Sequence, residues 1–303
     1  MNLWLMIKLV LGFQVCFSMV EDFKKSEEIN QTDSQHNGKT LNEILKENSI
    51  ENFFFLDIDG TLIASDDLFT FEYIPSLFLS EKHGQKLQVV DFNHSKSGDV
   101  FEIKHVLRPG AAQFIQFLAN IPGNRIIFYS HGARERNETL LNEFNLRYNY
   151  KFSYSIYSRE DEIIRGIYGK DIAFILEKEL KKLSQFEKIS PEDLYYYLQN
   201  SVLIDDTIHF WSEKQTYNVT KFEIKHCEDE FDWMKCNELF FLAGIIHESL
   251  QFDSKNSIPL SKLLNLTKDS LKEKIEILEI SKLGLKQMQK YNPNLNFFEY
   301  ENF

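Results

Sequence analysis

Four aspartates carry the chemistry legible in this chain. Asp57 and Asp59 stand two apart in Asp57-Ile58-Asp59-Gly60-Thr61, and Asp205 and Asp206 are neighbours in Ile204-Asp205-Asp206-Thr207. Clustered carboxylates repel one another and are costly to bury, so each pair needs a cation or hydrogen-bond donors. Oxygen donors of this kind suit Mg²⁺, which takes a few carboxylates and keeps several waters. A calcium loop of the DxDxDG type does not fit: position 61 is Thr61, and Leu68 stands where the bidentate Glu belongs.

Positioning such groups requires rigid elements. Residues 53–56 and 201–204 are apolar runs that read as fully buried strands of a parallel sheet. Both acid pairs therefore sit at carboxyl ends of strands, where open α/β sheets place their ligands. Gly60 lets the backbone turn sharply, and the Thr61 hydroxyl can bond back to the turn. A third strand, 125–129, ends in Ser130-His131-Gly132 before a helix expected from about Arg134. The Ser130 hydroxyl and the helix-start N–H groups suit an anion, while His131 reads as a surface or packing residue. Lys170 precedes a helix expected over 171–186, where a positive charge is mildly unfavourable unless an anion lies near. Lys178, Lys181 and Lys182 read as that helix's solvated face.

Composition narrows the classes. The 303 residues hold 34 basic and 46 acidic side chains, a net charge of −12, which excludes nonspecific nucleic-acid binding. Hydrophobics at 43% and aromatics at 14% fill a sizeable core, which excludes a disordered chain. Three cysteines without a CxxC pair exclude a zinc ribbon. Residues 1–19 read as a signal peptide with Cys16-Phe17-Ser18 near its end, although no Lys or Arg precedes Lys8. The protein is then exported or secreted; an uncleaved segment would instead be a membrane anchor or amphipathic helix. Cys227 and Cys236 would be the remaining thiols, and whether they pair stays open. Residues 20–40 read as a linker, 41–255 as the main domain opened by a short helix, and 256–303 as a helical extension. Apolar spacing at Leu263, Leu264, Leu271, Ile275 and Leu278 marks one or two helices in that extension. They offer a possible partner or membrane contact.

The segment around Asp57 resembles motif I (DxDGT after a hydrophobic strand) of the haloacid-dehalogenase-like (HAD) phosphohydrolases. The resemblance implies that Asp57 is the nucleophile, forming an aspartyl-phosphate, and Asp59 the general acid/base. It implies that Ser130 and Lys170 bind the phosphoryl group. Mg²⁺ would be held by Asp57, Asp205, Asp206 and Asp59 through its backbone carbonyl. An Asp at position 59 favours phosphate-ester chemistry over dehalogenation. Arg108-Pro109-Gly110, the hairpin pattern around 87–105, the Tyr168-Gly169-Lys170-Asp171 stretch and a helix near 239–250 resemble the C-terminal-domain phosphatase and dullard-like (FCP/SCP) branch. Asp205-Asp206 departs from that branch's usual Asp-Asn, and residues 64–87 run longer than its pattern.

The expected fold is a three-layer α/β doubly wound, Rossmann-like parallel sheet with a β-hairpin flap and a C-terminal helical extension. The resemblance implies a phosphoric monoester hydrolase using Mg²⁺. A thinly covered site favours a phosphorylated protein side chain, serine, threonine or tyrosine, over a small phosphate ester. An exported small-molecule acid phosphatase is the first alternative. A non-catalytic phosphoprotein-binding module is the second, against which all four acids are retained.

Overall fold

Alternation within one strand organises the molecule. The computed structural model describes residues 39–64, 89–96, 99–162, 169–227, 232–251, 258–271 and 273–297. The expectations for residues 1–19 and 20–38, for Tyr168 and for residues 65–88 fall outside these. Strand β1 (Ile50–Leu56) sends Phe53 and Phe55 to one face of the sheet and Phe54 and Leu56 to the other, all fully buried. A strand apolar on both faces belongs at the centre of a covered parallel sheet. The sheet has that form: five strands, all parallel, in the order β5-β4-β1-β6-β7.

The chain reaches this order by winding outward twice from β1. A short helix α1 (Leu41–Glu47), opened by a Thr40/Glu43 capping box, leads into β1. An antiparallel hairpin, β2 (Val89–Lys96) and β3 (Asp99–Val106), then leaves the sheet. Helix α2 (Ala111–Asn120) returns to β4 (Gly123–Tyr129), and α3 (Arg134–Tyr148) leads to β5 (Tyr154–Tyr157). The short α4 (Arg159–Glu162), α5 (Ile172–Ser184) and α6 (Pro191–Gln199) carry the chain back to β6 (Ser201–Asp205) on the other flank of β1. A 3-10 turn (Phe210–Gln215) precedes the edge strand β7 (Thr216–Asn218).

Helices cover both faces. Phe53, Phe55, Ile127, Tyr129 and Leu203 pack with Leu41, Leu45, Ile175, Leu176 and Leu180 of α1 and α5. On the other face Phe54, Leu56, Ile126, Phe128, Val202 and Ile204 meet α2, α3 and α7 (Trp233–Ser249). Helix α7 is apolar nearly all round, the mark of a helix inside the core. The three-layer doubly wound arrangement, with its hairpin and C-terminal helices, is the expected fold.

Two more helices follow, α8 (Leu260–Ser270) and α9 (Lys274–Met288). Leu263 and Leu264 are buried and Leu271 and Leu278 pack against the core, as expected, but Ile275 is 70% exposed. The most buried positions of α9 are Ser281, Gly284, Gln287 and Met288, which the apolar spacing did not mark. The reason is close approach: a Cβ on Gly284 would lie 1.8 Å from the Phe240 carbonyl oxygen, and one on Gly244 2.0 Å from that of Ile280. The helices touch backbone to backbone, a contact that small residues permit and hydrophobicity does not signal. Among the described residues no helix is long and apolar enough to cross a membrane.

Candidate active site

Register alone brings the two acid-bearing strand ends together. Leu56 pairs with Ile204, and the Asp57 N–H donates to the Ile204 carbonyl at 3.0 Å. Asp57 and Asp205 therefore emerge side by side from β1 and β6, at the point where the winding reverses. One carboxylate oxygen each from Asp57, Asp205 and Asp206 lies within 4.8 Å of the others. Gly60 (φ +78°) makes room for this: a Cβ there would sit 2.5 Å from Asp206 Oδ2. The Thr61 hydroxyl donates to Asp57 Oδ2 at 3.3 Å and accepts the Asp206 N–H at 3.1 Å, tying the two loops.

Lys170 enters from the loop before α5. Its side chain is 1% exposed, and Nζ donates to Asp57 Oδ1 and, at 2.6 Å, to Asp205 Oδ2. The loop is fixed on both sides of the lysine. The Ser212 hydroxyl donates to the Lys170 carbonyl at 2.7 Å, and the Asp171 N–H donates to the Tyr129 hydroxyl at 3.1 Å. Asp171 itself caps α5, accepting from the Phe174 N–H.

Burial sets the electrostatics. It pushes the Asp57 carboxyl up to about 7, against the pull of Lys170 and with further push from Asp205. Burial would raise Asp205 as well, but a hydrogen bond from His209 and the charge of Lys170 hold it below its ordinary value. Asp206 is raised by burial and then by Asp205. Burial opposes the charge on Lys170, yet Asp57 and Asp205 outweigh it and raise its pKa.

Asp59 and Ser130 form the neighbouring half. Ser130, at the end of β4, is fully buried; its hydroxyl donates to Asp59 Oδ2 at 3.2 Å and accepts the Gly132 N–H at 3.0 Å. Asp59 is also paired with Arg136, from the first turn of α3. His131 is exposed, its ring 5.2 Å from that of His209.

Three contributors escaped the sequence reading, and a fourth was seen there without its role. Arg136 lies six residues past Ser130, and His209 four past Asp205 with its Nε2 at 3.3 Å from Asp205 Oδ2. His105, at the end of β3, is held down to about 4 by burial and then by the charge of Arg136. Arg108 stood out only as part of Arg108-Pro109-Gly110. Fully buried, it donates to the Thr61 carbonyl and pairs with Glu238 of α7 at 2.6 Å, while Glu238 accepts the Thr220 N–H. The short offsets to Arg136 and His209 were a readable signal; Glu238, the ion-pair partner of Arg108, lies 130 residues away and left none. Nearby, Cys227 and Cys236 are joined by a disulfide, which settles the pairing that composition left open.

Acids at the tips of adjacent parallel strands, a buried lysine between them and a hydroxyl at the end of the third strand define a phosphatase of the HAD-like class. Residues 53–256 match the family of NLI interacting factor-like phosphatases, and the chain belongs to that family, within the FCP/SCP branch. No curated protein sequence matches it significantly. Among solved structures it is similar to an arginine-to-alanine variant of fission yeast RNA polymerase II CTD phosphatase Fcp1 bound to beryllium fluoride, at 15% identity and a TM-score of 0.39, over 84% of this chain and 70% of that one. A second structure of Fcp1, described as an essential RNA polymerase II CTD phosphatase, gives 17% identity and a TM-score of 0.39, over 84% and 69%.

Proposed function

We propose that this phosphatase hydrolyses phosphate monoesters with the help of Mg²⁺ through an aspartyl-phosphate on Asp57, and that its substrate is a phosphorylated protein side chain. The observation that carries this reading is the convergence of Asp57, Asp205 and Asp206 oxygens within 4.8 Å, with the Lys170 ammonium against two of them. The donor set is all carboxylate and partly buried, which suits a hard divalent cation; the backbone carbonyl of Asp59 would complete its protein ligands. When bound, the ion supplies charge neutralisation for the phosphoryl oxygens.

The chain's own groups carry the rest. Asp57 attacks phosphorus in line, forming the Asp57–phosphorus bond as the bond to the leaving oxygen breaks. Asp59 gives its proton to that oxygen and later takes one from the water that splits the acyl-phosphate. Lys170 and Ser130 hold the phosphoryl oxygens, with the Gly132 N–H behind the serine. A protein substrate is supported by the Asp59 side chain, which is 36% exposed beside the buried Asp57 and so within reach of a bulky phosphorylated group.

A second reading, an exported phosphatase of small esters, is favoured by the Cys227–Cys236 bond, since disulfides persist in oxidising compartments. The test is a screen of phosphoserine, phosphothreonine and phosphotyrosine peptides beside sugar phosphates and nucleotides, with and without Mg²⁺. Peptide turnover that needs Mg²⁺ and vanishes in Asp57→Asn is the expected result. Retention of most activity by Asp57→Asn would refute the nucleophile, and a preference for metabolites would select the second reading.

A further inference from the structure

The two cations of the site are held in unlike ways. Lys170 is 1% exposed and engaged by two buried carboxylates, so it is already committed. Arg136 is 18% exposed, and the carboxylate it pairs with, Asp59, is 36% exposed. An anion arriving from solvent therefore meets Arg136 before Lys170. The arginine is braced for the encounter: its Nη1 donates at 2.8 Å to Asn137 Oδ1, and Asn137 is fully buried, donating to the Gly132 carbonyl at 3.2 Å and to Ser158 Oγ at 2.9 Å. Gly132 makes space for the brace, because a Cβ there would lie 2.6 Å from Asn137 Oδ1 and 3.2 Å from Arg136 Nη1. From the hairpin side, His105 lies within electrostatic reach of both Arg136 and Asp59.

In the resting pair the Arg136 guanidinium is occupied by the Asp59 carboxylate, the group read above as the proton donor. A phosphoryl dianion carries more charge than one carboxylate and offers several oxygens, two of which a guanidinium fork can take at once, so it competes well for Arg136.

On the reading of Asp59 as acid/base given above, we infer that Arg136 is a phosphate-capture residue, exchanging the Asp59 carboxylate for the substrate's phosphoryl oxygens and so releasing Asp59 for proton transfer. The bond exchanged is an ion pair; no covalent bond to Arg136 forms.

The test uses the full chain with Mg²⁺, p-nitrophenyl phosphate as substrate and inorganic phosphate as competitor. Its good leaving group needs little help from an acid, so formation of the aspartyl-phosphate leans little on Asp59 as proton donor. R136M should raise both KM and the inhibition constant of phosphate by about tenfold or more, the range of a charged hydrogen bond, with kcat within about threefold. R136K, which keeps the charge without the fork, should recover part of that loss and serves alone if R136M does not fold. An unchanged phosphate inhibition constant overturns the inference, as does a fall in kcat at constant KM, which would make Arg136 a positioning residue for Asp59. Calorimetric binding of inorganic phosphate to D57N and to D57N/R136M separates this from the catalytic reading. Equal affinities there sink the capture role alone, whereas wild-type protein without phosphatase activity counts against the proposed hydrolase reading and leaves the phosphate-binding comparison standing.

Discussion

Lys170 is the side chain on which the buried charges depend. It faces two carboxylates with almost no access to water, so its loss leaves Asp57 and Asp205 repelling each other at the point of attack. Lys170→Ala should lower kcat/KM by on the order of 10²-fold or more toward any phosphate monoester. A loss below about threefold would move the phosphoryl-binding role to another lysine. Asp57, pushed up to about 7 by burial, would make the proposed Mg²⁺ binding a competition with protons. Below that pH the carboxyl holds a proton that a divalent ion must displace, and above it the ligand is ready. Mg²⁺ affinity measured by calorimetry should therefore weaken about tenfold per pH unit below 7 and level off above it, with proton release on binding. Affinity flat between pH 5.5 and 7 would mean that another group is the titrating ligand.

Between elements, the decisive contact is that of α7 with α9. Gly244 and Gly284 let each helix's backbone touch the other, and Gly110, at the start of α2, lies under Met288 of α9 and Phe240 of α7. A methyl group at position 284 has no space, because the obstacle is a main-chain carbonyl that cannot rotate aside. Gly284→Ala should destabilise the fold by about 1–3 kcal/mol or more, lowering the urea midpoint and melting temperature without altering KM in the fraction that remains folded. The same geometry bears on the site, since α7 supplies Glu238, the partner of Arg108, which in turn holds the Thr61 carbonyl beside Asp57.

Over the whole molecule, the family match ends at residue 256, yet the packing continues beyond it. Helix α8 lies on the β7 side of the sheet: Ser261 donates to the Lys214 carbonyl, Asn265 to that of Thr216, and Lys268 to that of Asn218. Those groups lie at an edge strand that would otherwise present unpaired backbone to solvent. Helix α9 covers α7, whose core-like surface water would otherwise meet. A chain ending at residue 256 should thus lose its cooperative thermal transition and its phosphatase activity together. Separation of the two, full activity with altered location, would instead make the C-terminal helices an adaptor for a partner or a membrane.

Much of this was legible in the sequence for a simple reason. Apolar runs ending in carboxylates report strand, burial and charge at once, and those properties depend on neighbours in the chain: hence the strands bearing Asp57, Ser130 and Asp205, and the helix after Lys170. Residues whose partners are remote carried no such mark. Arg108 reads as a motif and is a clamp to Glu238, Arg136 reads as one charge among many on α3 and pairs with Asp59, and Gly284 reads as a weak helix residue and is a point of helix contact. Local pattern fixes what each segment is, because propensity and periodicity act over a few residues. Which side chains meet is decided only when the sheet closes its register and the helices dock, because those distances exist in no part of the chain until all of it is folded.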